Sequence, residues 1–179
     1  PRADALLAFD LLGQRTLLFG GNGTNEFWSL ANGTWTQSTP PVLPGPRMRA
    51  QMSASPFTGE ILLYGGIGNG QFALDETWQW NGTTWQQLAP LATPGGFARH
   101  GLAFDTNRQV FVLFGGRNNL WIPNQCSSQT WEFANGNWTL AAPTQAPSGR
   151  VDAALAWHPG LGRVCLFGGI DASGQGNDD

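Results

Sequence analysis

One five-residue phrase recurs four times along this chain and constrains its fold more than any other feature. Leu-Leu-Phe-Gly-Gly at 17–21 returns with small changes at 62–66, 112–116 and 165–169. The second glycines of successive copies are 45, 50 and 53 residues apart. Self-similarity at such a spacing is the signature of a repeat architecture. We therefore expect repeats at about 1–46, 47–96, 97–149 and 150–179, the last of them incomplete.

The complete repeats carry the pattern of four short antiparallel strands. Each apolar run that ends in Gly-Gly is hydrophobic at consecutive positions, which indicates a strand buried on both faces. Two tryptophans seven residues apart follow it, and we expect them on adjacent strands of one hairpin. These pairs are Trp28 and Trp35, Trp78 and Trp85, and Trp131 and Trp138. Small four-stranded sheets packed face to face are the blades of a β-propeller.

Asn-Gly lies between the tryptophans of each pair and predicts the hairpin turn. A two-residue hairpin turn needs positive φ at both positions, which Asn-Gly adopts easily. The turns are at 32–33, 81–82 and 135–136. In the second repeat the Asn-Gly lies one residue nearer the first tryptophan. We expect the geometry of that turn to differ from the other two.

Composition excludes some classes of partner. Only 12% of the residues are charged, the net charge is −3, and all nine basic residues are arginine. A basic patch of the kind that nucleic-acid binding needs is not evident, so we expect no nucleic-acid partner. No apolar run approaches the roughly 20 residues that a membrane-spanning helix requires. The sequence thus predicts an all-β protein without a membrane-spanning segment.

The compound motif resembles the Kelch repeat. The shared features are the double glycine, two aromatic residues seven apart, an arginine near the start of the first strand and an aspartate at its end. The segment 75–85 is similar to the Kelch arrays of bacterial surface and secreted proteins. This resemblance, with the lack of lysine and the abundance of Asn, Gly, Thr and Gln, implies an extracellular or cell-surface location.

The resemblance also implies a propeller of six or seven blades. Residues 1–179 supply three complete four-stranded blades and the inner half of a fourth. Because three and a half blades cannot close a ring, we expect the remaining blades from the rest of a longer chain. We also expect that these residues alone do not form a stable monomer, since an open array leaves apolar sheet faces in water.

Candidate binding residues lie near the start of the first strand of each repeat. Alignment makes four pairs of positions equivalent: Arg2/Asp4, Arg47/Arg49, Phe97/Arg99 and Arg150/Asp152. Members of a pair are two residues apart, so we expect them to point to the same side of a strand. The arginines could bind carboxylates or sugar hydroxyls. Alternatively, they pair with the two aspartates or with carbonyls of the adjacent blade.

The loop after the third Gly-Gly, 117–129, adds two candidates. Arg117 begins it, and Trp121 is a tryptophan outside the strand pattern. An exposed tryptophan on a loop suits contact with a sugar or an aromatic group. The equal alternative is that Trp121 folds down onto its own blade. The predicted binding set is Arg47, Arg49, Arg99, Arg150, Arg117 and Trp121.

Support for catalysis or a metal is poor. Copper radical oxidases share the propeller, and such a site needs Tyr, Cys and His, but Tyr64 takes a core position here. His100 and His158 lie in different repeats without a second ligand at metal-binding spacing. The segment 171–179 resembles a calcium loop only in part, so we favour an ordinary loop. Cys126 and Cys165 show no reason to pair.

The sequence therefore predicts a non-catalytic binding or scaffolding module without a cofactor or metal. It recognises a protein or glycan through one propeller face. The alternative is part of a propeller enzyme, either a copper radical oxidase or a sugar-processing enzyme, whose catalytic residues lie outside this stretch.

Overall fold

The computed structural model describes residues 2–69, 72–118 and 125–177. Sixteen β-strands make up the regular structure of these residues. The described ranges contain no helix, and hence none that could cross a membrane. The all-β, helix-free prediction is confirmed.

Three four-stranded antiparallel sheets account for the first twelve strands, and in each sheet strands adjacent in sequence are adjacent in space. The first sheet contains β1 (Leu6–Asp10), β2 (Arg15–Phe19), β3 (Phe27–Ala31) and β4 (Thr34–Ser38). The second contains β5 (Gln51–Ala54), β6 (Ile61–Tyr64), β7 (Thr77–Trp80) and β8 (Trp85–Leu88). The third contains β9 (Ala98–Asp105), β10 (Val110–Arg117), β11 (Thr130–Ala134) and β12 (Asn137–Ala141).

The last four strands form two short pairs. β13 (Arg150–Val151) pairs with β16 (Ile170–Asp171), and β14 (Ala154–His158) pairs with β15 (Arg163–Phe167). The first long strands of successive units lie side by side, because β1 contacts β5, β5 contacts β9, and β9 contacts β14. This arrangement is consistent with propeller blades.

The first glycine of the second and third Gly-Gly pairs lies against the backbone of the next unit. All eight of these glycines have positive φ. A Cβ added to Gly65 would lie 2.2 Å from the carbonyl oxygen of Phe97, and one added to Gly115 would lie 2.4 Å from that of Arg150. Only glycine leaves room for this contact. The pair follows the end of β2, β6 and β15 as predicted, but β10 continues through Gly115 and Gly116 because its partner β9 is longer.

The hairpin turns follow the sequence prediction. Asn32 and Asn135 have positive φ, as do the glycines after them. Asn81 does not have positive φ, and its side-chain oxygen instead accepts hydrogen bonds from the backbone N–H groups of Thr83 and Thr84, each at 3.0 Å. The expected difference of the second turn is confirmed. Each predicted tryptophan pair lies on adjacent strands of one hairpin.

The core consists of aromatic contacts between neighbouring sheets. Trp85 packs against Phe19 of the preceding sheet, with ring centroids 6.2 Å apart. Trp138 packs in the same way against Tyr64 at 4.9 Å. Both tryptophans are 1% exposed. The equivalent Trp35 belongs to the first sheet and is 43% exposed, since no described residues form a sheet before it.

Candidate functional site

Four residues at equivalent positions of the four units adopt the same unusual backbone conformation. Their φ values are 58°, 58°, 62° and 57° for Asp4, Arg49, Arg99 and Asp152. Side-chain-bearing residues are strained in this left-handed region by about 1–3 kcal/mol, and such strain clusters at functional positions. We call these four residues the rim row.

Backbone hydrogen bonds link three members of the rim row. The N–H of Arg99 donates to the carbonyl of Arg49 at 3.0 Å, and the N–H of Asp152 donates to the carbonyl of Arg99 at 2.9 Å. Each bond joins one unit to the next. At these three residues the left-handed conformation therefore accompanies a link between units.

The side chains of the rim row form two ion pairs of different strength. Arg99 donates from Nε to both carboxylate oxygens of Asp152 at 2.9 Å and makes a further contact through Nη2. The hydrogen bond to Asp152 raises the pKa of Arg99 despite partial burial. Arg49 lies with Nε 3.9 Å from the carboxylate of Asp4, and its side chain is 41% exposed. Arg49 is the less tightly held guanidinium of the two.

Arg47 is buried and bound within its own sheet. Its guanidinium donates to the carbonyl of Gly65 at 3.1 Å, to Glu76 at 2.6 Å and to the carbonyl of Gly45 at 3.0 Å. Burial lowers the pKa of Arg47, and the bond to Glu76 opposes this effect. Arg150 is buried too, and it donates to the carbonyl of Gly168 at 3.0 Å.

The pair Arg47 and Arg49 does not share one environment, as the expected common side of a strand would require. Arg47 is buried against Glu76, whereas Arg49 is exposed beside Asp4. Side chains two residues apart share a face only along an extended strand. The left-handed residue interrupts that alternation. The two aspartates named in the alternative are contacted by Arg49 and Arg99. Arg47 and Arg150 instead bind groups of their own units, and Arg49 stays partly exposed.

A three-residue clasp that joins Arg47, Glu76 and Trp78 was not predicted from the sequence. Glu76 accepts hydrogen bonds from Arg47 and from Trp78 Nε1, the latter at 2.8 Å. Burial raises the pKa of Glu76, but these two bonds outweigh it and leave the pKa lowered. Glu26 is used in the same way, since it binds Arg2 and accepts from Trp28.

The third unit replaces both charged members of the clasp. Phe97 stands where the other units have arginine, and Gln129 stands two residues before Trp131, where the other two tryptophans have glutamate. Gln129 still accepts from Trp131 Nε1 at 3.2 Å. Loss of both charges together avoids an unpaired buried ion. The sequence signal was the recurring glutamate two residues before Trp28 and Trp78.

Arg117 pairs across β9 and β10 with Ala98, the residue that precedes Arg99 of the rim row. It borders a cavity of about 350 Å³ together with Phe97, Asn118, Gln125, Cys126 and Ser127. Its Nε is buried and has no hydrogen-bond partner among the described residues. Trp121, the other loop candidate, lies outside the described residues.

The residues considered for catalysis take structural positions. Tyr64 donates to the carboxylate of Asp75 at 2.8 Å, and burial raises the pKa of its hydroxyl above the usual range. His100 is fully buried, and burial lowers its pKa to about 3. Across the described ranges no group of three His, Cys, Asp or Glu residues could hold a metal ion. Cys126 and Cys165 are free thiols.

The segment that partly resembles a calcium loop is held by hydrogen bonds between its own residues. The Oδ1 atom of Asp171 accepts from the backbone N–H of Ser173 at 2.8 Å, from the Ser173 hydroxyl at 2.6 Å and from the N–H of Gln175 at 3.1 Å. These bonds lower the pKa of Asp171, and the hydrogen bond from the Ser173 hydroxyl has the largest effect. The last two residues of the motif, 178 and 179, lie outside the described residues.

Two comparisons with known proteins found no relative of this chain. No protein-family model matches the chain, and no curated protein matches it either. The repeat pattern and the geometry of the sheets are therefore the basis of what is proposed below.

Proposed function

We propose that this chain forms blades of a Kelch-type β-propeller of six or seven blades and acts as a binding module. Its ligand is a protein or glycan that carries carboxylate groups, and the binding surface is the rim row. We place the protein at the cell surface or outside the cell. The lysine-free composition and the resemblance to bacterial surface arrays support that location.

The single observation that carries this proposal is the exposure of Arg49 in a strained, backbone-tethered row. A guanidinium presents several donors in a fixed plane that matches a carboxylate. Because the left-handed backbone is fixed by bonds between units, Arg49 is presented on a rigid support. Its present partner, Asp4, lies at 3.9 Å and can be replaced by a better-placed carboxylate of a ligand.

Arg99 belongs to the same row but is already bound. Asp152 holds its guanidinium by several hydrogen bonds, so its charge is compensated within that ion pair. Arg49 lies farther from its own partner Asp4, so its donors are the ones open to a carboxylate of a ligand. We give Arg49 the role of direct contact and Arg99 the role of holding the row in place.

The test compares capture of two acidic probes with capture of their neutral counterparts. The probes are an oligoglutamate peptide and an oligogalacturonate, and the controls are oligoglutamine and the methyl-esterified sugar. We expect Arg49→Ala to weaken capture of an acidic probe by about tenfold, as loss of a charged hydrogen bond does. The melting temperature should not change.

Arg163→Ala is the matched control. Arg163 is exposed at the opposite end of the β14–β15 hairpin from the rim row. Its removal therefore makes the net charge more negative by one unit, as Arg49→Ala does, without touching the rim row. Equal weakening by both variants would show a general charge effect and contradict the site. If Arg49→Ala lowers the melting temperature but leaves capture of the acidic probes unchanged, Arg49 stabilises the contact between units and does not bind the ligand.

A further inference from the structure

A cavity of about 680 Å³ lies between the second and third sheets, each of which has all four strands. The second sheet lines it mainly with polar side chains and the third sheet with aromatic rings. These residues include Ser55, Glu60, Gln79, Phe104, Phe111 and Phe133. Strands β5 and β9 end beside the cavity, whereas the rim row lies near their starts. The volume falls in the range of small-molecule sites, about 300–1,000 Å³.

Arg15 occupies the equivalent place between the first and second sheets. Its Nε donates to the carboxylate of Asp10 at 3.0 Å, and its Nη2 donates across the interface to the carbonyl of Gly82 at 3.0 Å. The guanidinium lies 5.9 Å from the ring centroid of Trp80. Trp80 Nε1 in turn donates to Asp10 at 3.3 Å. A guanidinium between oxygen acceptors and an aromatic ring thus joins these two sheets.

All three of these side chains are changed at the second interface. Ser55, Glu60 and Phe133 stand at the positions of Asp10, Arg15 and Trp80. Phe133 keeps an aromatic ring at its position and is 5% exposed. Glu60 puts a carboxylate where the first interface has a guanidinium. The cavity therefore retains an aromatic ring and an oxygen acceptor, while the arginine that would fill it is replaced.

The carboxylate of Glu60 has unused capacity to accept hydrogen bonds. Within the described ranges it binds only its own sheet, since Oε1 accepts from Gln79 Nε2 at 2.7 Å and Oε2 accepts from the Thr58 hydroxyl at 3.1 Å. An ionised carboxylate has about four acceptor sites, so each oxygen can take one more donor. Glu60 is exposed, so a group that enters from solvent can reach it.

Arg108 is the cation among the described residues that line the cavity, and two carboxylates already bind it. Its Nε donates to Asp105 at 2.8 Å, and its Nη1 contacts Glu132. The charge of Arg108 is therefore compensated within its own sheet. The additional carboxylate of Glu60 leaves the surroundings of the cavity negative, which favours a cationic ligand.

We propose that this cavity binds an alkylguanidinium group, the chemical group of an arginine side chain. The bound group takes the place that Arg15 has at the first interface. Glu60 accepts its hydrogen bonds, and the ring of Phe133 takes the role that Trp80 has against Arg15. The site does not involve Arg49 or the rim row, so the failure of either proposal leaves the other standing.

The experiment compares probes on the complete protein, each labelled with carbon-13 at the guanidinium carbon so that its NMR signal reports binding. N-acetylarginine amide represents a side chain of a partner protein and agmatine a free small molecule, and tighter binding of one identifies the source of the group. The control is N-acetylcitrulline amide, labelled at the equivalent carbon, which keeps the shape but lacks the charge. We expect saturable binding of the arginine probe and at least about tenfold weaker binding of the citrulline probe.

Three protein variants locate the bound probe. Glu60→Gln removes the charge at nearly constant size, and we expect about tenfold weaker binding of the arginine probe. Glu26→Gln is the matched control, because it makes the same change of net charge outside the cavity lining and should leave affinity unchanged. Glu60→Arg places a guanidinium in the cavity as in the first interface, and it should abolish binding.

Four results would each overturn the proposal. They are equal binding of the arginine and citrulline probes, no saturable binding at millimolar probe, equal effects of Glu60→Gln and Glu26→Gln, and unchanged binding to Glu60→Arg. Circular dichroism checks that the variants keep the wild-type strand signal. The comparison of arginine with citrulline uses the wild-type protein, so it decides the outcome even if a variant does not fold.

Discussion

Replacement of His100 by alanine should make the stability of this protein much less sensitive to acid. His100 is 1% exposed, and neither ring nitrogen has a hydrogen-bond partner among the described residues. Burial lowers its pKa to about 3. The equivalent positions of the other units, Ala5, Ala50 and Ala153, hold alanine, so the backbone accepts that residue.

The sign and size of the effect follow from proton linkage. An unfolded histidine has a pKa of about 6.5, so between about pH 6.5 and pH 3 the unfolded chain binds a proton that the folded protein excludes. Stability is fully present above that window and falls by up to about 1.4 kcal/mol for each pH unit within it. Between about pH 7.5 and about pH 4.5, His100 should therefore account for a loss of roughly 2.5 kcal/mol.

The assay is urea unfolding at these two pH values, followed by circular dichroism. Carboxylates titrate in the same range, so the informative quantity is the difference in unfolding free energy between wild type and His100→Ala. That difference should shift in favour of alanine by roughly 2.5 kcal/mol on acidification. A His100→Ala difference that is the same at both pH values would refute the reasoning.

Two further predictions concern the clasp and the double glycines, and urea unfolding checks both. Glu76→Gln should destabilise the protein by about 1–3 kcal/mol, because Arg47 stays buried without a compensating charge. The control Glu26→Gln should cost less than Glu76→Gln, since that pair is more exposed, and equal losses would contradict the role of burial. Gly65→Ala should cost more than about 3 kcal/mol, because strain at positive φ adds to a backbone collision. Gly136→Ala has positive φ with no atom within 4 Å of the added Cβ, so a similar loss there would show that strain alone decides.

The sequence was a good guide wherever the signal is local. Gly-Gly, Asn-Gly and the paired tryptophans each act through a few neighbouring residues, so the strands and turns followed from them. The shifted turn at Asn81 was predictable because one residue of spacing changes which atoms the asparagine side chain reaches. Burial on both faces was predicted correctly for β6 and β10 from their unbroken apolar runs, but β2 and β15 are less buried than predicted because each has a described sheet on one side only.

The candidate site was harder to predict because its geometry depends on contacts between units. Arginine carries no marker for a left-handed backbone, so the conformation of Arg49 could not be inferred from its residue type. Without that conformation, the pair Arg47 and Arg49 looks like two equivalent rim residues. The clasp with Glu76 was also missed, since its members are 29 residues apart.

The backbone bonds of the rim row separate the chemistry of this surface from the folding of the chain. Carbonyl and N–H groups join Arg49 to Arg99 and Arg99 to Asp152 whatever side chains these positions carry. Asparagine, aspartate and glycine tolerate the left-handed conformation at least as well as arginine does. Side chains of the rim row can therefore be substituted, in evolution or in a mutant library, so that the surface recognises a different ligand. The sheets beneath the row keep their packing.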